Sequence, residues 1–432
     1  MPYIDVPDDT RSLHAIGDFI MSYDVHMNAF LDAIVNRIAF TIVTSKEWND
    51  PWARFDRGMM EYGETVEEIF VNIARPYSFD PQNAESTLFK REIPDVRAAF
   101  HTMNWQKQYQ TTVTQEQLQQ AFLGWSGVTD LVSRIVQSLY TSLSLDKYLT
   151  AKYMVCREAL NGGFYTVKTA PITGTGANPN DAIQKYRQLT NDLTFLKDTY
   201  NRAHVFNSTE VADQIILMPN EPESVLGVDV LANAFNINQV DYISQRIPVD
   251  SWEFTPSETA RLAQLFENDD TYTPLTGEEV KELQKISAIK LDKNIFMIFT
   301  NLQKMTEVYN PKGLYWNYFL HCWKTFSLSP YHNAVVFTSS DTEIEAVAVS
   351  PSTANVTQGS DTVFTASVTG KGLIDKAVSW SITGAKKAGT TIDPQSGKLH
   401  VAKDEPAQTA ITVTATAVDG QTGTATATVV AA

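Results

Sequence analysis

From Trp125 to Leu160, apolar side chains return every three or four positions: Val128, Leu131, Val132, Ile135, Val136, Leu139, Leu143, Tyr148, Leu149 and Tyr153. No proline interrupts the run, and it stops at Gly162-Gly163. That spacing predicts a helix of about 50 Å at ~1.5 Å per residue, with Ser144-Leu145-Asp146 as the candidate break. Asn178-Pro179 predicts a second helix, running through Leu196, with asparagine as cap and proline at the first helical position. Thr255-Pro256-Ser257-Glu258 and Thr276-Gly277-Glu278-Glu279 read as capping boxes that open two more. Residues 286–291, 314–329 and 334–338 read as strands. The second carries aromatics on both faces, so burial on both sides is expected.

Beyond Ser340 the pattern changes. Short alternating runs follow one another (EAVAVS, TVFTASV, AVSWSI, AITVTATAV, GTATATVV), separated by Gly-Ser, Gly-Lys, Asp-Gly and Pro-Gln turns. This predicts a separate, independently folding β sandwich over residues 341–432 with Trp380 in its core. The composition shifts at the same point: the segment has no arginine and two aromatics, Phe364 and Trp380, against 44 in residues 1–340. Residues 54–115 are the other unusual stretch, polar and turn-rich with Pro76, Pro81 and Pro94. A connection that long without its own core is expected to dock on a partner.

Charge and cysteine content narrow the function. With 34 basic and 50 acidic residues the net charge is 34 − 50 = −16, of which −3 falls in the tail and −13 in the body. Tight binding to nucleic-acid phosphates needs a basic surface, so the charge argues against DNA or RNA as a high-affinity partner, though not against enclosing nucleic acid. The 432 residues suggest two or three domains. The two cysteines, Cys156 and Cys322, lie in apolar segments and read as buried free thiols of a protein made in a reducing compartment. No signal peptide or membrane span is expected, so the chain reads as soluble and cytoplasmically made.

No catalytic, cofactor-binding or metal-ligating residue emerges. Glu64, Glu67 and Glu68 could be paired carboxylates, but Thr65 followed by Glu68 reads as a capping box opening a helix. Glu267-Asn268-Asp269-Asp270 lacks the alternating ligand spacing of a calcium loop and reads as a solvated helix end. His321 and Cys322 are adjacent in a strand, so they face opposite sides and do not make a nucleophile–base pair. No phosphate loop, dinucleotide fingerprint, HExxH or paired CxxC occurs.

Four blocks, however, carry a likeness: ETVEEIFVNI (64–73), FKREIPDVRAAFH (89–101), LGVDVLANAFNIN (226–238) and NPKGLYWNYFLHCWKTFSLSPYHNAVVF (310–337). Together and in this order they resemble the major capsid protein of phi-29-type short-tailed bacteriophages. The tail, with AVSPSTANVTQGSDTVFTASV, VSWSI, SGKLHV and ITVTATAVDG, resembles a bacterial immunoglobulin-like domain of group 2. The resemblance implies an α+β capsid fold of the Hong-Kong-97 type. Its expected parts are an N-arm over about 1–53, an extended loop over 54–112, a spine helix over 125–161 and an axial domain over 165–300, with the 341–432 domain on the outer surface.

The implied role is a non-enzymatic shell subunit that needs no cofactor. It would assemble with itself as pentamers and hexamers around double-stranded DNA, with scaffolding protein, portal and head fibres as partners and no membrane. It would be found in the virion, after assembly in the host cytoplasm. Some shells of this fold crosslink through an extended-loop lysine; Lys90 lies in that region, but no crosslinking is expected. The competing readings are a surface adhesion protein using the tail, and an intracellular enzyme formed by the body.

Overall fold

The structure, a computed structural model, describes residues 48, 50–60, 65–74, 76, 94–115, 127–231, 245–267, 269 and 272–431. Most of the expected N-arm, and Lys90, lie outside the described residues.

The body opens with strands β1 (Asp56–Met59), β2 (Thr65–Val71), β3 (Val96–Thr102) and β4 (Trp105–Thr114), then the long helix α1 (Gly127–Leu160). Strand β5 (Tyr165–Lys168), helix α2 (Pro179–Asp192), strand β6 (Gln214–Pro219), helix α3 (Asn220–Leu231) and strand β7 (Gln245–Val249) follow. Helices α4 (Pro256–Leu265) and α5 (Gly277–Gln284) lead into β8 (Ile286–Asp292), β9 (Phe296–Asn310), β10 (Tyr315–Leu328) and β11 (Ala334–Thr338). One sheet has the order β1-β9-β10-β4 and a second β5-β11-β8-β6-β7, while among the described residues β2 pairs only with β3. Both ends of the 54–112 span therefore belong to the body: β1 runs parallel to β9, β4 pairs with β10, and Phe55 and Trp105 sit in the main core. Between them lies the β2–β3 pair.

Helix α1 is continuous through Ser144-Leu145-Asp146. Asp146 causes no break because its buried carboxylate accepts from the Tyr109 hydroxyl at 2.6 Å and from the Arg261 guanidinium. The face carrying Leu139, Leu143, Leu149, Val155, Cys156 and Ala159 is buried in the core. Both expected capping boxes are present: Thr255 Oγ1 and Thr276 Oγ1 each accept a backbone N–H three residues on, and the glutamate there accepts in return. Cys156 and Cys322 are buried free thiols.

Three expectations need correction. Thr65–Glu68 opens no helix, because Thr65–Val71 is a strand. Helix α2 ends at Asp192 instead of Leu196, since Leu193 turns into the core and its carbonyl accepts from Thr209 N at 2.7 Å; Asn178 precedes the helix but makes no side-chain cap bond. Strand β10 is buried on both faces over Lys324–Phe326, while over Tyr315–Trp323 one face is buried and the other only partly. Trp316, Tyr318, Leu320 and Cys322 point inward, whereas Trp323 is 38% exposed.

Beyond the body lie β12 (Glu343–Ser350), β13 (Thr353–Thr357), β14 (Asp361–Val363), β15 (Thr365–Lys371) and β16 (Val378–Thr383). They are followed by β17 (Thr391–Ile392), β18 (Lys398–His400), β19 (Ala410–Ala417) and β20 (Thr422–Val430). A four-stranded sheet β13-β20-β19-β16 packs with the pair β12-β15 and the small sheet β14-β18-β17. Trp380, Phe364, Leu399, Val401, Ile411 and Val413 form their core. Glu405, fully buried, is held by the backbone N–H groups of Lys386 and Lys387 and by the Thr390 hydroxyl.

Candidate assembly surface

The β2–β3 pair has two unlike faces because alternate strand residues point opposite ways. Its inner face carries Val66, Glu68, Phe70, Arg97, Ala99 and His101, all half-buried or buried. Phe70 stacks on Tyr331 with centroids 5.4 Å apart. Glu68 is the hub: one oxygen accepts from Ser329 Oγ at 2.9 Å and the other lies 3.1 Å from His101 Nε2. His332 Nε2 is 3.6 Å from the same carboxylate, and its Nδ1 is 3.4 Å from Asp292 Oδ2. Burial alone would raise the Glu68 pKa. The hydrogen bonds from His101 and Ser329 and the charge of His332 outweigh it and hold the carboxyl below its ordinary value. Asp292 is lowered in the same way: burial opposes ionisation, but His332, Asn294 N and Thr209 prevail.

Ser327 Oγ also lies 2.8 Å from His101 Nδ1, so Ser327, His101 and Glu68 share the connectivity of a nucleophile, base and acid. Ser327 sits in a regular ladder opposite Met297, not on a turn presenting the convergent N–H donors that acyl transfer uses. The cluster fastens the hairpin to the body. Of the acids singled out from sequence, Glu67 is exposed on the other face, Glu64 lies outside the described residues, and Glu267 is exposed after the end of α4. His321 and Cys322 face opposite sides of β10, with His321 Nε2 3.2 Å from Thr306 Oγ1. Among the described residues no set of three His, Cys, Asp or Glu side chains could hold a metal ion, and no helix is long and apolar enough to cross a membrane.

The outer face is the opposite in character. Ile69 pairs with Ala98, Val71 with Val96 and Glu67 with Phe100. Ile69, Val71, Val96 and Phe100 are each more than half exposed. A two-stranded sheet with a wet apolar face is marginal alone, and contiguous exposed apolar surface marks a site of association. Burial alternates along both strands, but the residues of TVEEIFV and VRAAFHT do not alternate strictly between apolar and polar, and the competing capping-box pattern hid the strand.

Comparison with known proteins agrees. Residues 7–338 match the family described as Phi29-like phage major capsid protein. The chain is 32% identical over 413 residues to the major capsid protein of Bacillus phage B103, covering 94% of this chain and 84% of the relative. It is 33% identical over 405 residues to that of Bacillus phage PZA, covering 93% and 83%. The capsid structure of Staphylococcus phage Andhra shares the fold at a TM-score of 0.53 and 14% identity, covering 69% of this chain and 86% of that one. These relatives are capsid proteins and lend nothing to the adhesion reading. With a mixed α+β body and a family match spanning nearly all of it, the chain belongs to the Phi29-like phage major capsid proteins.

Proposed function

We propose that this capsid protein closes a shell by packing copies of itself as pentamers and hexamers, with β2–β3 as the extended loop that lies over a neighbouring copy. The observation that carries this is the outer face of Ile69, Val71, Val96 and Phe100: apolar, exposed, and mounted on a hairpin whose inner face is fastened to its own body. Helix α1 suits the spine and residues 165–300 the axial domain. The shell would enclose double-stranded DNA without reading it, since a net charge of −16 does not favour adhesion to phosphates. Scaffolding protein and portal are the partners such a shell implies. The proposal assigns no enzymatic role.

For residues 341–432 the proposal is a bacterial immunoglobulin-like domain of group 2 on the outer surface; a core around Trp380 enclosed by a four-stranded sheet, the β12-β15 pair and the small β14-β18-β17 sheet supports it. Electron microscopy of assembled protein tests the shell reading. Ile69→Asp with Phe100→Asp should give folded subunits by circular dichroism but no closed particles. Normal shells from the double variant would sink the assignment of this face.

A further inference from the structure

We infer that the C-terminal β unit clasps the loop-side end of the β2–β3 hairpin, where Val71 faces Val96, within the same subunit, with Gln395 as the clasp. Three elements meet there. Arg97 on β3 donates from Nη1 to the Ala203 carbonyl at 2.7 Å and from Nη2 to the Gln395 side-chain oxygen. The Gln395 amide nitrogen donates in turn to the His204 carbonyl. One glutamine thus ties the hairpin, the 201–206 loop and the C-terminal unit, using both ends of its amide.

The turn that presents Gln395 is stiff. Asp393 Oδ1 accepts from the N–H groups of Gln395 and Ser396, and the Pro394 carbonyl accepts from Trp380 N, which joins the turn to the core of its own unit. Gly397 has a φ of 68°, and a Cβ there would lie 2.4 Å from the Phe364 carbonyl, so the backbone passes as close as a chain can. The receiving loop is equally defined: Asn201 binds Val205 through both its amide atoms, and His204 is held at a φ of 48°. Arg97 is oriented by Asp95, whose other oxygen accepts from Asn72 at the end of β2.

The C-terminal unit therefore sets the direction of the hairpin before any second copy arrives. This goes beyond shell assembly, because it concerns the isolated subunit, and the test does not depend on particles forming. Amide hydrogen exchange on soluble full-length subunits reads it directly. Gln395→Ala should speed exchange about 5- to 10-fold in 96–102 and 201–206, the effect of losing a charge-assisted bond at a partly exposed site. The reciprocal variant Arg97→Leu should loosen 201–206 and the 393–397 turn by a similar factor. If each variant loosens only its own element, the clasp is wrong. If Gln395→Ala also loosens 378–383, the unit itself has been damaged, and Arg97→Leu decides alone: an unchanged 393–397 turn overturns the inference.

Discussion

Glu68 shows how one side chain sets the role of a segment. Its carboxylate is held below the ordinary glutamate pKa, so it contributes stability that is present above the unfolded value of about 4.3 and lost as pH falls through the lower folded value. Docking of the hairpin should therefore weaken on acidification below about pH 4. Exchange in 65–71 and 96–102, followed from pH 6 to pH 3, should show that acid limb. Glu68→Gln should flatten it and cost about 1–3 kcal/mol at neutral pH. An identical acid profile in the variant would mean another group holds the hairpin. None of this was legible in the sequence, because His101, Ser329 and His332 are far from Glu68 along the chain and only folding brings them to it. Lys290 escaped for the same reason. It lies within the strand read over residues 286–291, and it is fully buried against the Tyr186 carbonyl and the Thr190 hydroxyl, where burial pushes its pKa down to about 7.

Among elements, those decided locally could be read in advance, and those decided by distant packing could not. The capping boxes at Thr255 and Thr276 and the long periodic run of α1 are local, and the structure has them. Thr65–Glu68 has the same local signature, but Glu68 finds better partners on the body and the segment becomes a strand. The end of α1 combines both kinds of control. Gly162 has a φ of 71°, which a terminating glycine supplies, and a Cβ there would stand 2.5 Å from the Ile374 carbonyl in the C-terminal unit. Gly162→Ala should thus cost more than the ~1–2 kcal/mol of left-handed strain alone. Gly174→Ala is the matched control, with a φ of 84° and nothing within 4 Å of its Cβ site. Urea unfolding of the two variants separates strain from contact. Equal losses would deny the close approach of α1 to the C-terminal unit.

At the scale of the whole molecule, the change of composition after Ser340 marks a unit with its own core, and by itself suggests an appendage that could be removed freely. The joint says otherwise. Leu373, although beyond the boundary, is 2% exposed and belongs to the core of the body. Lys168 pairs with Asp341 at 2.6 Å, a surface contact worth little, so of these two side chains the buried Leu373 contributes more to the joint. Leu373→Ala should therefore cost about 2–5 kcal/mol as a buried truncation. The loss should register in the exchange protection of α1, more than two hundred positions away in the chain. Trp380→Ala should cost a similar ~3–5 kcal/mol, but confined to the C-terminal strands, because its neighbours are all in that unit. Ending the chain after Ser340 should mimic Leu373→Ala in the body: a folded protein with lower stability and a less protected α1. Three exchange maps compare these outcomes. If α1 is as protected in Leu373→Ala and in the truncated chain as in the full protein, the two units are independent and the tail is an appendage after all.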